Sequence, residues 1–220
     1  MVISDQHKYI FIAVPKTGTT SISSFLLKND PTAVKNLIRV GIKNYKVQEH
    51  ITALELRKML GNKFDEYTSF GFVRYPYSKI LSSYFFYSEG RAAKKVHAGK
   101  QTFYIKLKVL FAKMLPFSLW ALLYPYNSCR GFLVDKDGKL LVNYIGYFEN
   151  LEKDFSNIVG RLGFDSGLER LSHLNWTSHD EFDSYMRNGI LKRILARKVR
   201  SDLTLFYRLG VTAEVKPGSF

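Results

Sequence analysis

FIAVPKTGTTSI, residues 11–22, joins an apolar run to a short segment that contains one lysine, one glycine and four hydroxyl side chains. KYIFIAV (8–14) is typical of a buried strand, and TSISSFLL (20–27) predicts a helix. The residues between them must therefore turn tightly from a strand into a helix. A helix N-terminus presents backbone N–H groups and a partial positive charge, so this turn favours an anion.

The turn supplies several groups that could bind an anion. Gly18 allows a backbone to approach a ligand closely, and Lys16 adds a full positive charge. Hydroxyl donors come from four further residues: Thr17, Thr19, Thr20 and Ser21. A capped helix start beside an exposed lysine has the same composition, so the turn alone leaves that alternative open.

Apolar runs alternate with helical patterns along the rest of the chain. Further strands are predicted at NYKVQEH (44–50), at YTSFGFV (67–73) and at the start of YIGYFENLEKDFSNIVGRLG (144–163), with a hairpin at GFLVDKDGKLLVNY (131–144). Helices are predicted at TALELRKML (52–60), where Thr52 and Glu55 form a capping box and Gly61 ends the helix, and at PYSKILSSYFFYS (76–88). This order predicts one α/β domain over residues 1–220, with a mainly parallel central sheet flanked by helices.

The charge of the chain indicates an anionic partner without identifying it. The formal net charge is +14, from 33 basic and 19 acidic residues, which suits nucleic acid, an anionic membrane surface or a nucleotide. The basic residues are spread along the chain, and no RNA-binding aromatic motif or zinc finger accompanies them. We therefore predict no nucleic-acid partner, and keep a basic nucleic-acid or polyanion-binding protein as an alternative.

The longest apolar region, FYIKLKVLFAKMLPFSLWALLYPY (103–126), is interrupted by lysines and by Pro116. It predicts two helices that meet at Pro116 rather than one spanning helix. We expect a substrate-side lid or core packing here, and peripheral contact with a membrane surface is the alternative. Cys129 is the single cysteine, so neither an intrachain disulfide nor a cysteine metal cluster is expected.

A Walker-type nucleoside-triphosphate site is the nearest rival for the turn. Its pattern is GxxxxGK[ST], whereas Lys16 precedes the glycine and no GK[ST] occurs in the chain. The metal-holding carboxylate that should end a later apolar strand is missing, since Asp135 fits a hairpin turn better. A P-loop nucleotide kinase or NTPase is therefore the disfavoured alternative.

FIAVPKTGTTSI resembles the 5′-phosphosulfate loop of the sulfotransferases that use 3′-phosphoadenosine 5′-phosphosulfate (PAPS), and in particular the Golgi-type carbohydrate sulfotransferases and their bacterial relatives. FGFVRYPYSKILSSY (70–84) is similar to the 3′-phosphate element of that family, with Arg74 ending a strand and Ser82 on the next helix. YIGYFENLEKDFSNIVGRLG resembles a later strand and helix, and LSHLNWTSHDEF (171–182) matches weakly a loop near the nucleotide. Residues from about 88 to 128 match least, which assigns them to the acceptor side.

The resemblance implies a P-loop-like, three-layer fold and transfer of the sulfuryl group from PAPS to a hydroxyl of a carbohydrate or glycolipid by in-line displacement. Lys16 would neutralise the leaving nucleotide, and no metal is required. The implied PAPS-binding residues are Lys16, Thr17, Gly18, Thr19, Thr20, Ser21, Arg74 and Ser82. Retention of Lys16, Arg74, Ser82 and His50 argues against a degenerate member that only binds.

His50 is the preferred catalytic base among the five histidines. It lies at the end of the strand predicted at 44–50, at the same edge of the sheet as the turn at 15–18, and the resembled family carries a histidine at the comparable place before the arginine-bearing strand. A histidine packed at a helix start is the non-catalytic alternative, Glu49 and Glu149 are substitute bases, and Glu149 is also expected to cap its own helix. The other histidines are His7, His97, His173 and His179.

The N-terminal stretch MVISDQHKYIFIAV lacks the long apolar region of a secretory signal. We expect a cytoplasmic, bacterial enzyme, with the lumenal catalytic domain of a Golgi enzyme as the alternative. The acceptor and the oligomeric state stay open.

Overall fold

The computed structural model describes residues 1–94, 100–164, 171 and 179–210. Contacts divide the chain into two compact units, Met1–Arg74 with Asn127–Trp176, and Tyr75–Tyr126 with Thr177–Phe220. The first unit combines strands and helices, whereas the described residues of the second are helical wherever they are regular. The single domain expected from the sequence stays a prediction.

Seven strands occur in the described part of the first unit. They are β1 (Val2–Ser4), β2 (Tyr9–Ile12), β3 (Val34–Lys35), β4 (Leu37–Val40), β5 (Lys43–Lys46), β6 (Thr68–Val73) and β7 (Tyr144–Tyr147). Five of them form one sheet in the order β3-β1-β2-β6-β7, and β4 and β5 form a separate antiparallel pair.

The centre of the five-stranded sheet is parallel, as predicted. Phe70 of β6 pairs with Phe11 of β2 on one side and with Tyr144 of β7 on the other. β1 pairs antiparallel with both β2 and β3 and was not predicted. Residues 5–8 connect β1 to β2, and so short a connection permits only an antiparallel pair.

The helices, in chain order, are α1 (Thr19–Asn29), α2 (Ala53–Leu60), α3 (Pro76–Ser88), α4 (Arg91–Lys94), α5 (Lys100–Met114), α6 (Phe117–Leu123), α7 (Arg130–Leu133), α8 (Leu151–Arg161), α9 (His179–Met186), α10 (Gly189–Lys198) and α11 (Arg200–Gly210). Short 3₁₀ turns cover Gly61–Glu66 and Phe148–Asn150. The first unit contains α1, α2, α7 and α8, and the second contains the others.

Helices cover both faces of the sheet in the first unit. On one face, α1 and α8 pack on the aromatic side chains of β2 and β6, in a core that includes Ile22, Phe70 and Phe155. On the other face, Leu133 of α7 lies so close to Gly71 that a Cβ at that glycine would be 2.7 Å from it. The α/β prediction of a sheet flanked by helices is therefore confirmed, while its P-loop-like character stays a prediction.

Several local predictions are confirmed. Thr52 and Glu55 form the capping box of α2, and Gly61 follows its end. α3 begins at a proline, and α5 and α6 are separated at Pro116, which is the N-cap of α6. The capping residues and prolines therefore predicted these helix ends correctly, because each helix end depends on contacts within a few residues.

Two predictions were right only in part. The hairpin expected at 131–144 is reduced to one bridge between Val134 and Leu140, because α7 occupies the place of its first strand. Asp135 closes the intervening turn by accepting hydrogen bonds from the backbone N–H groups of Asp137 and Lys139. The strand expected at 44–50 exists as β5 but ends at Lys46 and pairs with β4, outside the central sheet.

The second unit has its own aromatic core. Tyr77, Ile80 and Trp120 of α3 and α6 pack with Leu191 and Leu195 of α10. The ammonium group of Lys198 donates to the last carbonyl groups of α6, those of Ala121 and Leu122, at 2.8 Å each. No helix in the described ranges is both long enough and apolar enough to cross a bilayer.

Candidate functional site

Three parallel strands of the first unit end at the same edge of the sheet. β2 continues into residues 13–18, which we call the β2–α1 loop, β6 ends directly before Arg74, and β7 ends directly before Phe148. The register places Ile12 beside Gly71 and Val73 beside Tyr147. Because ligands of open α/β sheets bind outside the carboxyl ends of parallel strands, this edge is the candidate site.

The β2–α1 loop has an unusual backbone that hydrogen bonds hold in place. Lys16 has a φ of 68°, in the left-handed region that costs an ordinary residue about 1–3 kcal/mol. The Thr17 side chain is buried, and its hydroxyl donates to the carbonyl of Val14 at 2.9 Å. The predicted binding role of Thr17 therefore rests on its backbone N–H, since its hydroxyl proton is used within the loop.

Gly18 is required by the structure of the loop itself. Its φ is 79°, and a Cβ on it would lie 3.0 Å from the Leu151 side chain of α8. Any larger residue would combine left-handed strain with a clash against α8. This structural requirement does not test the predicted contact of Gly18 with a ligand, which stays a prediction.

The start of α1 is not capped by a side chain. The N-cap position is Gly18, no side-chain hydrogen bond is made there, and the first turn contains no acidic residue. Thr20 is exposed, Thr19 is partly exposed and Ser21 is buried. The alternative of an ordinary capped helix start therefore does not describe α1, whose first N–H groups face the loop side without a carboxylate on the first turn.

Arg74 is buried and hydrogen-bonded to the loop. The residue is only 7% exposed, and Nη1 donates to the carbonyl of Lys16 at 3.3 Å. The guanidinium lies 4.1 Å from the centre of the Phe148 ring. Burial lowers the pKa of Arg74 to about 10, and the negative charge of Glu149 acts in the opposite direction. The group therefore remains cationic at neutral pH.

His50 reaches the loop from outside the sheet. It lies in a turn after β5, and its Nδ1 lies 2.7 Å from the carbonyl oxygen of Ala13. A carbonyl can only accept, so Nδ1 carries the proton and Nε2 of the neutral ring has the free lone pair. The predicted place of His50, at the end of a strand of the central sheet, was wrong, but its predicted proximity to the loop is confirmed.

The surroundings of His50 favour its neutral form. Although the residue keeps solvent exposure, lost hydration lowers the pKa of its imidazole, and the N-terminal amine and Lys35 act in the same direction. The bond to Ala13 and the Glu49 carboxylate oppose this. Lys35, 3.2 Å from Glu49, helps to lower the pKa of that carboxyl against the effect of burial.

The substitute bases stay alternatives to His50. Glu49 is engaged by Lys35, and Glu149 lies in the 3₁₀ turn before α8, where its charge acts on Arg74. The expectation that Glu149 caps α8 was wrong, because Asn150 is the N-cap and makes no side-chain cap bond. His7 precedes β2, at the far end of that strand from the loop.

Some predicted features cannot be placed at this edge. His97, His173 and most of the region 171–182 lie outside the described residues, and the side chain of His179 is not described. Ser82 is buried in α3 of the second unit, and its part in the site stays a prediction. In the described ranges, no cluster of three His, Cys, Asp or Glu side chains could hold a metal ion.

Phe148 is a site residue that sequence reasoning missed. It stacks on Arg74, and its ring also approaches the position where a Cβ of Gly18 would lie, at 3.4 Å. The available signal was its position, directly after the third parallel strand in YFEN, where a side chain must lie at the same edge as the loop.

Two comparisons of the sequence with known proteins found a match. The profile of the sulfotransferase family matches residues 1–113, which include the β2–α1 loop, His50, Arg74 and Ser82. An uncharacterized protein of Archaeoglobus fulgidus is 29% identical over 117 residues, covering 52% of this chain and 83% of the relative. A search of solved structures found no significant match.

The match covers more than half of the chain and contains the two main motifs of the resemblance, residues 11–22 and 70–84. The chain belongs to the sulfotransferase family.

Proposed function

We propose that the chain transfers the sulfuryl group of PAPS to a hydroxyl of a carbohydrate or glycolipid. Family membership implies a transferase, and the observation that carries the finer proposal is the basic, uncapped start of α1 with Arg74 and His50 bonded to its loop. PAPS is the group donor, so the protein has to bind, orient and assist rather than supply the reactive group.

The residues of the loop fit a nucleotide with phosphate groups at two positions. The N–H groups of residues 18–21 would hold the 5′-phosphate, because α1 directs its positive end there and its first turn contains no acidic residue. Arg74 would bind the 3′-phosphate, and its planar fork suits two charge-assisted bonds. Ser82 belongs to the same proposal on sequence grounds alone.

Lys16 is the residue that we assign to the leaving group. In a loose, nearly in-line transfer, negative charge grows on the bridging oxygen of the departing nucleotide. The ammonium group of Lys16 would stabilise that charge, and the strained backbone of the residue is fixed where the Arg74 bond is made. Sulfuryl carries less charge than phosphoryl, so the proposal includes no metal.

His50 is the residue that we assign to the acceptor. Its Nδ1–H is used by Ala13, so Nε2 would take the proton of the acceptor hydroxyl. The lowered pKa keeps the ring neutral, and therefore basic, at neutral pH. A cytoplasmic location and an acceptor role for residues from about 88 to 128 are further proposals that rest on the sequence.

The test is sulfuryl transfer from radiolabelled PAPS to a panel of sugars and glycolipids. We expect label in at least one acceptor, and we expect Lys16→Ala to lower turnover by about 10²–10³ and to weaken nucleotide binding. Lys153→Ala, an exposed change on α8, is the matched control. Normal binding and turnover in Lys16→Ala would remove the loop from the proposed reaction.

A further inference from the structure

Helix α5 turns a broad apolar face outward. Phe103, Leu107, Leu110 and Met114 follow the spacing i, i+4, i+7, i+11 and are exposed, Phe103 by 76% and Met114 by 71%. Tyr104 and Phe111, which are also exposed, widen this face. Ala112, in contrast, is fully buried against the core of the second unit. The apolar face therefore extends along the helix and does not depend on one residue.

Lysines line both edges of this apolar face. At 100° per residue, Lys106 and Lys113 fall on one edge and Lys108 on the other. Lys106 and Lys113 are exposed, and the ammonium group of Lys108 lies 4.4 Å from the centre of the Tyr104 ring. Apolar side chains between flanking lysines are the pattern of a helix that lies in a membrane interface, with the ammonium groups at headgroup level.

Helix α6 adds to the exposed apolar surface of the second unit. Leu119, Leu122 and Leu123 are exposed, Leu123 by 72%, while Trp120 on the same helix is buried. The bonds from Lys198 fix the end of α6, so these leucines project from an anchored helix. We name the exposed apolar residues of α5 and α6, with Lys106, Lys108 and Lys113, the α5–α6 face.

The charge of the segment identifies the partner. Residues 90–134 contain eight lysines and arginines and no aspartate or glutamate. A second copy of the chain would bring lysines against lysines, whereas an anionic lipid surface offers both a hydrophobic interior and opposite charge. We propose that the α5–α6 face docks on an anionic bilayer, with α5 parallel to the surface. This inference does not depend on the proposed reaction.

The experiment measures cosedimentation of the full chain with vesicles. Vesicles of phosphatidylcholine alone are compared with vesicles that also contain phosphatidylglycerol, and we expect binding to the second kind, weakened by added salt. Lys106→Glu with Lys113→Glu should lower vesicle affinity by about tenfold or more. Phe103→Ser with Met114→Ser should lower it as well, because the apolar contribution is lost.

Two matched variants distinguish a specific docking face from a general effect of net charge or of exposed apolar side chains. Lys136→Glu with Lys153→Glu changes the net charge equally at exposed positions of the first unit, and Ile42→Ser removes a side chain that is 99% exposed. Both should bind vesicles like the unaltered chain. Equal binding to both kinds of vesicle, or equal losses in the control variants, would overturn the proposal. So would a dimer that Phe103→Ser with Met114→Ser dissociates, without vesicle binding.

Discussion

Two helices of the first unit begin in opposite ways. α2 begins with a complete capping box, in which the Thr52 hydroxyl accepts from the N–H of Glu55 and the Glu55 carboxylate accepts from the N–H of Thr52. α1 begins at Gly18 with no side-chain cap and no acidic residue in its first turn. Side chains thus cap the first N–H groups of α2, whereas α1 begins with backbone donors that no side chain caps, next to a loop that contains a lysine.

The difference separates a structural helix start from a binding one. The start of α2 is satisfied internally, so changes there should alter stability. The start of α1 is held instead by contacts to its loop, from His50 at Ala13 and from Arg74 at Lys16. Changes to those residues should alter binding or turnover, and the following predictions test this division from the largest expected effect to the smallest.

His50→Asn should have the largest effect. The asparagine amide can donate to Ala13 in place of Nδ1–H, but it offers no base at the position of Nε2. We expect turnover to fall by about 10²–10⁴ while PAPS affinity stays near that of the unaltered chain. Single-turnover rates and donor titration measure the two quantities. If turnover is unchanged, His50 only positions the loop, and Glu49 or Glu149 becomes the candidate base.

Arg74→Ala should weaken nucleotide binding by about 1.5–3 kcal/mol, the range for hydrogen bonds to a charged group. Isothermal titration with adenosine 3′,5′-bisphosphate measures this, and Arg57→Ala, which removes an exposed ion pair with Asp65, is the control. Because Arg74 is buried against Phe148, thermal unfolding must be recorded as well. A loss of stability with unchanged affinity would make Arg74 a structural residue.

Thr52→Ala should affect stability alone. It removes the side-chain cap of α2, and we expect a loss of about 0.5–2 kcal/mol in the free energy of unfolding. Thr20→Ala, at an exposed position of the uncapped α1 start, should change it by less than about 0.5 kcal/mol. Denaturant titration compares the two. Equal losses in both variants would end the distinction between the two helix starts.

The acidic limb of the pH–rate profile should show the state of His50. Its lowered pKa means that the neutral base persists below the usual histidine range of about 6.5. The Glu49 carboxylate raises that pKa, so Glu49→Gln should move the limb further toward acid. The pH dependence of kcat/KM in both proteins measures the shift. If Glu49→Gln moves the acidic limb toward alkaline pH, or if the limb persists in His50→Asn, the titrating group is not His50.

The sequence predicted the elements whose signals are local. The strand at 8–14 and the helix after it are shown by their periodicity, and the capping box joins Thr52 and Glu55 across only two intervening positions. The β2–α1 loop was found because its lysine, glycine and hydroxyl residues are consecutive. These signals depend on near neighbours, so a single sequence contains them.

The contacts that complete the site are not local, and the sequence predicted only that His50 lies near the loop. His50 reaches Ala13 across 37 positions through a turn, and Phe148 stacks on Arg74 from a different strand end. The apolar run at 131–144 looked like a hairpin, yet Leu133 packs on Gly71 from a short helix. Tertiary packing determines each of these contacts, and the residue pattern of a single segment does not reveal them.

The central claim is that the carboxyl edge of β2 and β6 binds a nucleotide through its 3′-phosphate as well as its 5′-phosphate. Isothermal titration with adenosine 3′,5′-bisphosphate and with ATP, without magnesium, tests it most directly. The account predicts that the bisphosphate binds at least about tenfold more tightly, the lower end of what charged hydrogen bonds to the additional phosphate contribute. Equal affinity for the two nucleotides, or binding that requires magnesium, would contradict it.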